Sequence, residues 1–120
     1  EVIMKIPNNI RIGGVDYTIE LRENVRLGSV MCYGAIDYTT STISISTTDS
    51  ISHQHKCITM WHEILHGIFE HACCHQKNEE EIVEVLSKGI YQVLQDNGMA
   101  LFDIERQDET KAVVKANELT

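Results

Sequence analysis

Five consecutive residues, His62-Glu63-Ile64-Leu65-His66, have the types and spacing to hold a metal ion and to work on a water molecule. They lie in a stretch with helical apolar periodicity. At about 100° per residue, positions i and i+4 stack on one face of a helix, so two neutral imidazoles can grip one zinc ion. The glutamate between them can reach a water on the metal and serve as its general base, taking a proton and returning it to a leaving amine. No other segment of the chain names a chemistry so directly.

Such a centre needs a third protein ligand and an open position. The extended pattern H-E-x-x-H-x-x-G-x-x-H is broken here, with Phe69 at the glycine position and Ala72 at the third histidine. His71 falls on nearly the opposite side of the helix from the His62/His66 line, and His75 has a similar problem unless the helix has ended. Cys73 shares that line but sits about 10 Å further along the axis, too far for joint coordination. The acidic start of a following helix is left, with Glu79, Glu80, Glu81 and Glu84. Glu79 shares a side with Ile82, Val83 and Leu86, and Glu80 shares one with Val83, Ser87 and Leu94, whereas Glu81 and Glu84 point elsewhere. Facing allows both Glu79 and Glu80 and does not separate them.

The elements that must carry these groups can be read from apolar periodicity. Ile10-Arg11-Ile12 runs into Gly13-Gly14, after which Val15, Tyr17, Ile19 and Leu21 alternate with polar residues, a hairpin signal. Residues 31–38 and Thr42–Ser46 form a second pair, joined near 39–41. Ile43 and Ile45 face one way and Thr42, Ser44 and Ser46 the other, which suits an edge or half-exposed position; an extended substrate would lie beside an edge strand, for which Thr42–Ser46 is the candidate.

From about residue 50 the period becomes helical, through Ile58, Trp61, Leu65, Ile68, Phe69 and Ala72, with Asp49, Ser50 and Ser52 as candidate caps. His62 and His66 fall at one margin of this stripe, as a cleft-lining pair should. A polar link at 75–78 precedes a second helix from 79 to about 96, whose buried side is Ile82, Val83, Leu86, Ile90, Val93 and Leu94. Its acidic first turn suits the helix dipole, and Asn97-Gly98 predicts its stop. The last twenty residues predict a short extra element or a fraying end. The expected fold is α+β, a small twisted β-sheet followed by two packed α-helices. It forms one domain over residues 1–120, with a core at about 10–97 and a tail at 98–120.

Composition narrows the function. Of 120 residues 42% are apolar, enough for a core, and the formal net charge of −8 argues against nucleic-acid binding, which needs clustered Lys and Arg. No signal peptide or membrane-spanning stretch is seen, and Met4-Lys5 reads as a native start, so a cytoplasmic protein is expected. Cys32, Cys57, Cys73 and Cys74 include no C-x-x-C pair and read as free thiols rather than a zinc ribbon. His53 and His55 read as polar residues at a loop or helix start, and His71 and His75 as solvent-facing. Tyr33 and Tyr38 have the chemistry to donate to an oxyanion but fit ordinary strand aromatics better.

Trp61-His62-Glu63-Ile64-Leu65-His66, followed by Glu80-x-x-Val83-x-x-Leu86-Ser87, resembles a minimal gluzincin-type metallopeptidase. More closely, it is similar to the small ImmA/IrrE-like peptidases encoded by phages and mobile elements. There the metal-binding glutamate opens a helix as E-x-x-A-x-x-F-A, from which Val83 and Ser87 depart. The resemblance covers residues 10–97 or so, including Gly34-Ala35-Ile36-Asp37 and Ile43-Ser44-Ile45 before the helix. It implies a zincin-like fold, a Zn²⁺ ion held by His62, His66 and Glu80, with Glu63 as general base. It also implies a narrow protein or peptide substrate, met in the host cytoplasm if the protein is phage-encoded. The alternative is a non-enzymatic regulatory binder that keeps a structural metal site.

Overall fold

Gly13 and Gly14 both take positive φ (57° and 81°), the backbone that a two-residue hairpin turn requires. They join β1 (Asn9–Ile12) to β2 (Val15–Arg22) in the computed structural model, which describes residues 3–48 and 50–102. A small hairpin of β3 (Arg26–Leu27) and β4 (Val30–Met31) follows, then β5 (Gly34–Asp37) and β6 (Thr42–Ser46). Helices α1 (His53–His71) and α2 (Glu79–Phe102) complete the order. The architecture is α+β, a small mixed sheet followed by two helices, as expected.

The sheet order is β1-β2-β6-β5. β6 runs parallel to β2, with Thr18 opposite Thr42 and Arg22 opposite Ser46, and antiparallel to β5, with Gly34 opposite Ile45. Thr42–Ser46 is therefore an interior strand and not the expected edge. Its alternation has another cause: Ile43 and Ile45 are fully buried under α1, while Thr42 and Ser44 occupy the other face half-buried. The free edge on this side is β5. The strand expected over 31–38 is also divided between β4 and β5.

Alternation puts Ile12, Tyr17, Ile19, Ile43 and Ile45 on one face, where Met60 and Ile64 of α1 close the core. Each such buried side chain contributes about 1.5–3 kcal/mol. Ser52 caps α1, its hydroxyl accepting the His55 N–H at 3.1 Å. At the other end Cys73 takes φ +52°, and the Cys73 and Cys74 N–H groups donate to Glu70 and Phe69 carbonyls. This is a Schellman reversal with Cys73 where glycine is usual. All four cysteines are free.

α2 lies against α1 through Val83 and Ser87, both fully buried. It passes through Asn97-Gly98 and is helical as far as Phe102, the last described residue, so the expected stop is not used. The Asn97 side-chain amide instead donates back to the Val93 carbonyl at 3.0 Å within the helix. Leu86 and Val93, expected on the buried side, are 43% and 53% exposed. Asp49 as a cap, and the tail beyond 102, lie outside the described residues. No helix among the described residues is long and apolar enough to cross a membrane.

Candidate metal centre

One turn of α1 sets His62 above His66, with their Nε2 atoms 3.2 Å apart. Both rings are mostly buried, 19% and 16% exposed. The first turn of α2 then brings Glu80 between them. Its Oε1 lies 2.8 Å from His62 Nε2 and its Oε2 lies 2.9 Å from His66 Nε2. Donor atoms of His62, His66 and Glu80 all fall within 4.8 Å of one another, the expected set drawn from two helices.

The remaining ring nitrogens separate Glu79 from Glu80. Glu79 Oε2 sits 2.7 Å from His66 Nδ1, the nitrogen turned away from the cluster. Glu84 Oε2 sits 3.3 Å from His62 Nδ1. Each imidazole thus carries a carboxylate behind it, the arrangement that fixes ring orientation where a histidine binds a metal. Glu79, an expected alternative ligand, is placed as an orienting partner of His66. Glu84 does not point elsewhere as expected. It stands one turn beyond Glu80 on the same face, an i,i+4 signal that mirrors His62/His66 and was legible in the sequence. Lys88 Nζ holds Glu84 at 2.9 Å, and this hydrogen bond keeps the Glu84 carboxyl below its usual range. Glu81 is exposed.

Glu63 is only 6% exposed, and its Oε2 finds no hydrogen-bond partner among the described residues. Burial raises its pKa above the ordinary carboxylate value; the nearby His62 and His66 pull the other way, and Glu80 raises it further. The donor set fits zinc. Two nitrogens bound to one tetrahedral zinc stand about 3.3 Å apart, close to the spacing present here, and two imidazoles with one carboxylate are a familiar set for a catalytic site. An unpartnered buried carboxylate oxygen next to that set suits a proton acceptor.

These groups form one wall of a cleft of about 860 Å³ between α1 and β5. Gly34, Ala35 and Ile36 of β5 line the other side, with Tyr33 beyond them. Glycine is required at 34. A Cβ there would stand 2.5 Å from Thr59 Cγ2, 3.2 Å from the Ser44 carbonyl oxygen and 3.3 Å from Glu63 Cγ. The strand is pressed directly onto the helix turn that carries Glu63.

Two of the other histidines, His71 and His53, serve the fold. His71 is half-buried rather than solvent-facing, its Nε2 2.6 Å from the Tyr17 hydroxyl. His53 opens α1, with Nε2 2.6 Å from the Met4 carbonyl, while His75 is exposed. The His55 ring lies against Tyr33, centroids 4.4 Å apart, at one end of the cleft. Tyr38 does not line this cleft. Burial, then Glu70, Glu79 and Glu63, push its pKa up to about 12.

Compared with known proteins, the chain finds no match: no protein-family model fits it, and neither a curated protein nor a solved structure aligns with it.

Proposed function

We propose that this protein is a zinc-dependent metallopeptidase with a narrow protein or peptide substrate, of the small gluzincin type that its motif resembles. The observation that carries this reading is Glu80 bridging the Nε2 atoms of His62 and His66 beside the buried, unpartnered Glu63 Oε2. His62, His66 and Glu80 would hold the metal, and Glu79 and Glu84 would keep the two rings in register. Zinc held this way lowers the pKa of a bound water and polarises a carbonyl. Glu63 would take the proton from the attacking water on Oε2 and pass it to the departing amine.

An extended peptide would lie along the open edge of β5, whose residues line the cleft, and not along Thr42–Ser46. Three donors converge among the described residues rather than four, which favours an open catalytic site over a closed structural one. The test is Glu63→Gln. The variant should bind zinc like the parent and lose cleavage of the substrate, found by proteomic comparison of cells expressing either form. Equal cleavage by parent and variant would remove Glu63 from the mechanism.

A further inference from the structure

The β3–β4 hairpin stands beside the cleft and makes no substantial contact with any other element of the described fold. Its base is fixed: Val25 is buried and its carbonyl accepts the Cys32 N–H at 2.9 Å. Its tip, Gly28-Ser29, is a tight turn with Gly28 at φ +65°, and the chain enters through Asn24 at φ +57°. Leu27 and Val30 are paired across the hairpin, so their side chains share a face, and Leu27 lines the cleft. Yet Leu27 is 60% and Val30 64% exposed. Met31 and Tyr33 are 52% and 59% exposed, making four large apolar groups open to water within seven positions. Leu27 and Tyr33 line the cleft and Val30 shares the face of Leu27, so apolar surface is left open at the mouth, as on a surface built to cover something.

Resting on the metallopeptidase reading, we propose that this hairpin is a flap that closes over the bound peptide. Through Leu27 and Val30 it selects a bulky apolar residue beside the scissile bond. Charge excludes one class of residue. The facing wall carries Glu63, Glu80 and Glu84, with Lys88 already paired to Glu84, so an acidic peptide residue is repelled there. An apolar side chain is what the flap face can remove from water. Closure pivots between the buried Val25 and Gly34, where the chain is clamped against Thr59.

The test uses the full zinc-loaded chain and hydroxamate probes. Succinyl and acyl-amino-acid hydroxamates place an isobutyl group on either side of the metal-binding head, and each is compared with its counterpart lacking that group. One isobutyl compound should bind about ten-fold tighter or more than its counterpart. In the double variant Leu27→Ser with Val30→Ser, at exposed positions where the fold loses little, that advantage should drop below about two-fold. Amide exchange over residues 26–31 should slow in the parent when the isobutyl compound binds. A double variant that keeps the full advantage, or exchange that does not change, overturns the flap while the metal site stands. Failure to retain zinc, measured separately by atomic absorption, removes the metallopeptidase reading and the flap with it.

Discussion

Replacing Gly34 by alanine tests whether β5 is clamped onto the helix turn that carries Glu63. The new Cβ would lie 2.5 Å from Thr59 Cγ2, against an optimum of about 3.5–4.0 Å between carbons. Thr59 is 6% exposed and cannot swing into solvent, and the second contact, the Ser44 carbonyl at 3.2 Å, is backbone. Strand and helix must part. Overpacking of this kind costs about 1–3 kcal/mol, against which the alanine's smaller unfolded-state entropy returns only about 0.4–1 kcal/mol. The net loss should lower the thermal midpoint by about 4–8 °C for each kcal/mol lost. A second substitution makes the argument specific. Thr59→Ser deletes the methyl that is struck and alone should cost about 0.8 kcal/mol for one buried carbon. Combined with Gly34→Ala, it should recover stability, with a favourable coupling of about 1–2 kcal/mol in a denaturant-unfolding double-mutant cycle. A Gly34→Ala protein as stable as the parent, or strictly additive effects, would refute the clamp.

Two further outcomes follow from the carboxylates. Glu84→Ala and Glu79→Ala should each weaken zinc binding by about 10–100-fold in competition with a chromophoric chelator, while Glu80→Ala should weaken it more; equal losses at all three positions would contradict the division of roles. Glu63→Gln in the metal-free protein should unfold at a higher temperature than the parent at neutral pH. Because burial raises the folded pKa of Glu63, its contribution is present in full below the unfolded carboxylate pKa and is lost as pH rises through the folded value. The gap between variant and parent should therefore close on acidification, and a gap that widens instead would contradict the burial argument.

The helix bearing the motif, the Gly13-Gly14 turn and the acidic opening of α2 were all legible because each is written in adjacent or helically spaced residues. The position of β6 was not. Ile43 and Ile45 alternating with Thr42 and Ser44 describe one buried face, and an interior strand gives the same pattern as an edge strand. Its parallel pairing to β2 depends on the crossover through residues 23–41, which no local signal encodes. The end of α2 was misplaced for a different reason. Asn97 and Gly98 suit a stop, but a helix tolerates them at a cost of about 1 kcal/mol when other interactions carry the chain onward. In the site, Glu84 shows how a legible i,i+4 relation to Glu80 is missed when only apolar facing is considered. The choice between Glu79 and Glu80 needed three dimensions. Both face α1, and only the geometry puts one on Nε2 and the other on Nδ1.

The central claim is a zinc ion held by His62, His66 and Glu80. Anomalous scattering at the zinc edge from crystals of the zinc-loaded protein tests it most directly. The predicted result is one peak within about 2.0–2.2 Å of both Nε2 atoms and a Glu80 oxygen, with Glu79 and Glu84 remaining on the Nδ1 atoms. A peak coordinated by Glu79 or Glu84 in place of Glu80, or no peak near His62 and His66, would contradict it.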